Sequence, residues 1–113
     1  MPLGGQDIYL NVVSGIKLVE PAADLGAVLS IASVFRNIPI NKELVAVGEV
    51  GLTGEIRSVN LIDKRIKEAE KMGFKTIIIP ESNKKLLKEK YKIDIIGVSN
   101  INEAIKKAGL VNN

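Results

Sequence analysis

Residues 44–59, "LVAVGEVGLTGEIRSV", carry the clearest structural pattern in the chain. Two strand-like apolar segments flank Gly51–Leu52–Thr53–Gly54, which is typical of a hairpin turn. From residue 44 onward the pattern predicts the order strand, strand, helix, strand, helix, strand, helix. That order indicates an α+β fold in which helices pack on a mixed sheet.

The segments after this hairpin alternate between helical and strand-like patterns. Asn60 is expected to cap a helix, with Asp63 three residues later as in a capping box. Leu61, Ile62, Ile66, Ala69 and Met72 follow at helical spacing, and Gly73 is a natural helix end. We predict strands over residues 75–80 and 93–98, and helices over residues 82–91 and 102–108.

Upstream of the hairpin, residues 21–35 predict a helix. Pro21 suits its first turn, and Asp24 complements the positive end of the helix. The remainder is apolar or small nearly all round, so we expect this helix to be central and buried. Residues 7–13, "DIYLNVV", and residues 16–19 are predicted to be strands.

Composition limits the chemistry open to the chain. Its 113 residues fit one domain spanning residues 1–113, which we expect to be a fragment of a longer protein. It contains neither cysteine nor histidine, so we expect no disulfide, no metal site and no Ser-His-Asp arrangement. No apolar run reaches the roughly 18 residues of a membrane span. We expect no membrane association and a cytoplasmic location.

Charge is distributed unevenly along the chain. Residues 1–62 carry 4 basic and 6 acidic side chains, whereas residues 63–113 carry 12 and 7. This asymmetry favours an anionic partner for the C-terminal half, although a lysine-rich solvated surface explains it too.

Several motifs resemble one known family. They are "GEVGLTGEIRSV" (residues 48–59), "GFKTIIIPESN" (residues 73–83) and "VSNINEAI" (residues 98–105). In this order they resemble the proteolytic domain of the Lon family. With residues 3–25, "LGGQDIYLNVVSGIKLVEPAADL", the similarity is greatest to the C-terminal Lon-like domain of the RadA/Sms DNA repair family.

The resemblance makes two positions decisive for peptidase activity. An active Lon domain has a Pro-Ser-Ala-Gly stretch whose serine is activated by a later lysine, and such a dyad needs no histidine. Counted without gaps from Gly48, the serine position is Ala22 and the lysine position is Asp63. A shift of one residue would give Lys64 at the second position, whereas at the first it gives Ala23 or Pro21 and no serine. We therefore expect no catalytic residue.

The resemblance also implies what the domain does instead. RadA/Sms proteins place a zinc-binding module and a RecA-like ATPase before this domain, so ATP, Mg and Zn are expected in the parent protein and no cofactor in this chain. No GxxxxGK[ST] phosphate loop is present in the sequence. We expect self-association into a ring, hexameric in the parent protein, and binding of duplex DNA.

The basic residues after the hairpin are the candidate DNA contacts. Positions 64, 67 and 71 share one helix face, and arginine grips phosphate with two donors. The candidates are Arg57, Arg65, Lys64, Lys67, Lys71 and Lys75, with Arg57 and Arg65 preferred; Lys84, Lys85 and Lys88 extend the region. Two alternatives remain: a purely structural hexamerisation module, and an active Ser-Lys peptidase using Ser30 or Ser33.

Overall fold

The computed structural model describes residues 21–111. The strands expected over residues 7–13 and 16–19 lie outside the described residues. The described elements are a 3-10 turn Pro21–Ala23, helices α1 (Asp24–Arg36), α2 (Ile62–Lys71), α3 (Glu81–Lys84) and α4 (Ile101–Lys107), and strands β1 (Leu44–Ala46), β2 (Glu49–Val50), β3 (Ile56–Arg57), β4 (Thr76–Pro80) and β5 (Asp94–Val98). Parallel and antiparallel strands occur together, which confirms the predicted α+β class.

A three-stranded parallel sheet forms the centre of the described residues. Its order is β1–β4–β5, with Val45 opposite Ile77 and Ile77 opposite Ile95. The isoleucines of β4 alternate between the two faces of the sheet and are fully buried. A strand covered on both faces accounts for the continuous apolar run that predicted it.

Helices cover the sheet on both sides. Ile78 faces α1 and α4, where it packs with Leu25, Leu29 and Ala104. Ile77 and Ile79 face the opposite way, where they pack with Ile66 and Ala69 of α2. Residues 21–111 therefore form three layers, with α1 and α4 on one side of the sheet and α2 on the other.

The predicted first strand is divided between two sheets. Val47 still donates its N–H to the Ile78 carbonyl, but the Gly48 N–H donates to the Ala22 carbonyl instead. The chain leaves the parallel sheet there and forms β2, which pairs antiparallel with β3 through the predicted hairpin turn. A Cβ at position 48 would lie 3.0 Å from Ile56 Cγ2 and 3.3 Å from Leu25 Cδ2, so any larger residue would require these two side chains to shift.

The sequence predicted that helix α1 is buried on all sides, and this prediction is wrong. Leu25 and Leu29 face the core, but Ile31, Val34 and Phe35 are 57%, 65% and 87% exposed. A helix lying on one face of a sheet buries only the stripe that faces the sheet. Both the inner and the outer face of α1 are apolar. Composition alone therefore could not show which face is buried and which is exposed.

Two further helix predictions needed correction. The helix expected over residues 82–91 ends at Lys84, because Leu86 and Leu87 donate to carbonyls three residues back and form tight turns. Asn60 does not cap α2. The N-cap is Leu61, which has no side-chain cap hydrogen bond and a left-handed backbone (φ 56°).

Candidate functional site

Ala22, at the predicted nucleophile position, lies in the 3-10 turn before α1. The Gly48 N–H donates to the Ala22 carbonyl at 2.9 Å, and the Leu25 N–H donates to the Gly48 carbonyl at 3.0 Å. These bonds fix the turn against the start of β2. The methyl group of Ala22 is almost fully buried and offers no atom that can attack a carbonyl.

A cleft of about 460 Å³ adjoins this turn, lined by Pro21, Ala22, Glu49, Ser58, Val59, Asn60, Leu61 and Arg65. Asp63, at the predicted lysine position, is not among these lining residues. Its carboxylate instead accepts a hydrogen bond from the Tyr91 hydroxyl. Burial raises the pKa of Tyr91, and the hydrogen bond to Asp63 raises it further.

Lys64 does not take the place of the missing amine. It lines two other grooves, one on each side of α2, rather than the Ala22 cleft. Within residues 21–111, Arg65 is the only basic residue that lines this cleft. A guanidinium stays protonated and does not act as a general base.

The two serines considered as replacements also lie outside the cleft. Ser33 donates its hydroxyl to the Ile38 carbonyl at 2.5 Å. The bond runs forward to Ile38, two residues beyond Arg36. Serines within helices commonly bond instead to a carbonyl one turn earlier. Ser33 thus ties the C-terminal end of α1 to the chain that follows.

Asp24 does more than complement the helix end. Its Oδ2 accepts a hydrogen bond from the Val50 N–H at 3.2 Å. The carboxylate therefore joins the start of α1 to strand β2, and sequence spacing could not show this contact across 26 residues.

Four of the candidate DNA contacts surround one groove. Lys64, Lys67 and Lys71 line it from α2, and Lys75 lines it from the turn before β4. The groove encloses about 1130 Å³. We call it the lysine groove.

The sequence interpretation missed two members of this groove, Lys90 and Lys92. They come from the segment before β5, which Glu70 holds against α2. Glu70 accepts hydrogen bonds from the Lys92 N–H at 2.6 Å and from the Ile93 N–H at 3.2 Å. The basic run "KEKYK" over residues 88–92 was the available signal, whereas Lys84, Lys85 and Lys88 do not line the groove.

Salt bridges in and near the lysine groove are weak. Lys67 lies 3.6 Å from Glu89 and Lys75 lies 3.8 Å from Glu43, with all four side chains more than half exposed. Exposed pairs of this kind contribute about 0–1 kcal/mol.

The two preferred arginines lie outside the lysine groove. Arg57, on β3, donates to Glu55 Oε2 through Nε at 3.1 Å and Nη2 at 2.8 Å. Arg65, on α2, donates to the Asn60 carbonyl at 2.8 Å and to Asn60 Oδ1 at 2.9 Å. The structure thus groups the four candidate lysines in one groove and places Arg57 and Arg65 outside it. A role of any of these residues in DNA binding stays a prediction.

An apolar groove of about 430 Å³ lies on the other side of α2. Its walls are Val45, Val47, Ala69, Phe74 and Ile77, with Leu61 and Met72 exposed at its edge and Lys64, Arg65 and Glu68 as its charged lining. We call this the apolar groove.

Comparison with known proteins confirms the resemblance. Residues 5–111 match the model of the Lon protease (S16) C-terminal proteolytic domain. The chain is 49% identical over 106 residues to the DNA repair protein RadA of Halalkalibacterium halodurans, covering 94% of this chain and 23% of that protein. It is 51% identical over 104 residues to RadA of Bacillus subtilis, covering 92% and 23%.

The chain spans about a quarter of the length of these relatives. No helix among residues 21–111 has the length and apolar character needed to cross a bilayer. The match over nearly the whole chain, together with the order of its motifs, shows that the chain belongs to the family of the Lon protease C-terminal proteolytic domain, in which it is similar to the Lon-like part of RadA proteins.

Proposed function

We propose that the chain is a non-catalytic Lon-like domain of a DNA repair protein that binds the backbone of duplex DNA and self-associates. The relatives named above are DNA repair proteins. ATP-dependent motor activity, with its ATP, Mg and Zn, belongs in this proposal to the parent protein outside this chain. The parent protein acts in the cytoplasm.

The observation that carries the DNA proposal is the lysine groove. Six lysines from two separate segments line one concave surface: Lys64, Lys67, Lys71, Lys75, Lys90 and Lys92. Ammonium groups at the ends of flexible chains suit phosphate oxygens, which lie at regular intervals along a duplex. Two aromatic residues, Phe74 and Tyr91, also line the groove. With only these two rings in the groove, the proposal rests on backbone contacts by the lysines rather than on base stacking.

The lack of peptidase activity follows from Ala22. The position that needs a hydroxyl carries a methyl, Lys64 lies outside the cleft, and Ser33 is bonded to Ile38. A fluorophosphonate probe that labels activated serines should leave the chain unmodified. Labelling mapped to Ser30 or Ser33 by mass spectrometry would restore the peptidase alternative.

The DNA proposal is tested by removing two lysines of the groove. We expect Lys71→Ala plus Lys92→Ala to weaken binding of a fluorescent duplex about 10-fold at 0.1 M salt. The slope of log K against log salt should fall by about 1.8, because two phosphate contacts are lost at about 0.9 each. Anisotropy titrations from 50 to 200 mM salt measure both quantities.

The matched control is Lys106→Ala plus Lys107→Ala. It removes the same charge from exposed positions in the last turn of α4, on the opposite side of the sheet. Equal loss in both variants would mean that net charge alone sets the affinity, and the lysine groove would not be the interface. Arg57→Ala plus Arg65→Ala is expected to weaken binding as well and tests whether the interface extends beyond the groove.

A purely structural module is the second candidate, because large apolar side chains are exposed on both sides of the sheet. It predicts self-association with no duplex binding even at low salt. Light scattering together with the anisotropy titration separates the two functions.

A further inference from the structure

We infer that Glu70, an acidic residue of the lysine groove, is a positioning residue for DNA binding. Its carboxylate holds the segment that carries Lys90 and Lys92, so its removal weakens the binding of a polyanion although it removes a negative charge. The inference rests on the proposed function and names the residue that keeps the binding surface assembled. Glu70 acts through the two lysines and not by contact with phosphate.

The segment that carries the two lysines has no regular secondary structure. Residues 88–93 precede β5 and belong to no helix or strand. Within residues 21–111, none of their N–H groups donates to a backbone carbonyl. A chain segment without such bonds samples many conformations unless side chains hold it. The contacts that hold this segment therefore decide where Lys90 and Lys92 lie.

Helix α2 supplies contacts to this segment from one of its faces. Glu70 Oε2 accepts hydrogen bonds from two successive N–H groups, that of Lys92 at 2.6 Å and that of Ile93 at 3.2 Å. Asp63, two turns earlier on the helix, accepts a hydrogen bond from the Tyr91 hydroxyl. Hydrogen bonds to an ionised carboxylate are roughly twice as strong as bonds between neutral groups. Glu70 bonds the backbone beside Lys92 itself, whereas Asp63 bonds the end of a neighbouring side chain.

The place of Glu70 in the groove gives the inference an unusual sign. A carboxylate within a phosphate-binding surface repels phosphate, so on charge alone its removal should strengthen binding. Glu68 lines the same groove, is exposed, and makes no hydrogen bond or ion pair within residues 21–111. Glu70 is half-buried and carries both backbone hydrogen bonds. The two acids therefore lead to opposite expectations when each is removed.

The expected loss arises from preorganisation. A segment that already lies in place does not have to be ordered when the ligand binds, and this adds to affinity. Without Glu70, residues 88–93 would have to be ordered during binding before Lys90 and Lys92 could act beside Lys71. Both lysines would remain in the chain, but they would no longer belong to a preformed surface.

The test compares Glu70→Ala with Glu70→Gln. Both variants remove the same charge, but only glutamine keeps a side-chain oxygen that can accept both N–H bonds. We expect Glu70→Ala to weaken binding of the fluorescent duplex about 3-fold. The slope of log K against log salt should fall by roughly 0.9 to 1.8, as one or two phosphate contacts are lost. Glu70→Gln should bind at least as tightly as the unmodified chain.

Two further variants separate positioning from charge and from stability. Glu68→Ala is the charge control and should strengthen binding about 2-fold, because it removes only a repulsive charge. In a chain that already carries Lys90→Ala plus Lys92→Ala, Glu70→Ala should weaken binding no further, because the residues through which it acts are absent. A general loss of stability would weaken binding in that background as well.

Hydrogen exchange provides a readout that needs no DNA. The amide protons of Lys92 and Ile93 should exchange faster in Glu70→Ala than in Glu70→Gln or the unmodified chain, as measured by NMR. Circular dichroism checks that each variant is folded. If Glu70→Ala does not fold, Glu70→Met takes its place, because it keeps the length of the side chain without a carboxylate oxygen.

Three results would overturn the inference while duplex binding by the lysine groove stands. The first is stronger binding by Glu70→Ala, as for Glu68→Ala, which would mean that Glu70 acts by charge alone. The second is equal binding or equal amide exchange in the alanine and glutamine variants. The third is a further loss in the background that lacks both lysines. A different result, an unmodified chain that binds no duplex even at low salt, would overturn the DNA proposal itself and this inference with it.

Discussion

Glu55 shows how one residue shapes the hairpin turn. Its Oε1 accepts hydrogen bonds from the Thr53 hydroxyl at 2.5 Å and from the Thr53 N–H at 3.2 Å, while Oε2 binds Arg57. The carboxylate folds over Gly51, where a Cβ would lie only 1.9 Å from Oε2. These contacts hold Leu52 outward at the tip. They also hold Arg57 beside Glu55, which separates this arginine from the lysine groove.

These contacts predict a pH effect at the hairpin. The Thr53 hydroxyl, with Arg57, lowers the pKa of Glu55 from 4.5 to about 2. A lowered pKa stabilises the fold above the ordinary pKa, and this stabilisation is lost as the pH falls from about 4.5 towards 2. Thr53→Val removes the hydroxyl and should raise the pKa of Glu55 towards 4.5 in an NMR titration.

Glu55→Gln is the companion variant for stability. It should melt below the unmodified chain at neutral pH, and the difference should shrink as the pH approaches 2. A difference that stays constant over this range would show that the turn does not depend on the ionised carboxylate.

At the scale of elements, the side-chain amide of Asn83 makes the two backbone hydrogen bonds that a neighbouring strand would otherwise make. Its side chain lies in α3, is 7% exposed, and pairs with the backbone of Val59: Oδ1 accepts from the N–H at 2.9 Å, and Nδ2 donates to the carbonyl at 3.1 Å. The side-chain amide thus continues the pairing of the chain beyond β3.

Asn83→Ala tests this contact. It leaves two backbone groups of Val59 without their partner, so we expect the free energy of unfolding to fall by about 1–3 kcal/mol. Denaturant unfolding measures the change. Asn102→Ala, at an exposed position of α4, serves as the control and should change stability by less than about 0.5 kcal/mol. Equal effects of the two variants would mean that the Val59 pairing contributes nothing.

At the scale of the whole molecule, α2 lies between two surfaces of different chemical character. The lysine groove adjoins one side of the helix, the apolar groove adjoins the other, and Lys64 lines both. The self-association proposed above would bring the lysine grooves of several copies to one duplex. Several weak phosphate contacts would then act on that duplex together.

This arrangement predicts that assembly strengthens DNA binding. The affinity for a long duplex should exceed the affinity for a duplex that spans one domain about 10-fold or more, because linked sites gain from effective concentration. A series of duplex lengths measured by anisotropy at constant salt checks this, and equal affinity at every length would contradict it.

The fold was largely predictable because its signals are local. The apolar run of residues 76–79, the glycines around Leu52 and the helical spacing of Ile62, Ile66 and Ala69 each reflect the surroundings of one element. The structural predictions were wrong where a contact with a residue distant in the sequence decides the local structure. The chain leaves the parallel sheet at Gly48 because Ala22 and Ile56 lie beside that residue. Asn60 does not cap α2, and its side-chain oxygen instead accepts a hydrogen bond from Arg65.

The candidate site divides in the same way. Ala22 and Asp63 follow from counting along the motif. Lys64, Lys67 and Lys71 follow from the helix period, and Lys75 follows from its charge. Lys90 and Lys92 lie beside these lysines because Glu70 accepts hydrogen bonds from the backbone of Lys92 and Ile93, more than 20 residues further along the chain.

The sequence alone determined the chemical groups: a methyl where a nucleophile is required, no histidine, and a lysine-rich second half. Only the tertiary structure decided which of these groups share a surface, and that α1 leaves an apolar face outward. Side-chain chemistry is a property of each residue, whereas proximity between remote segments arises only when the sheet and its two helical layers pack.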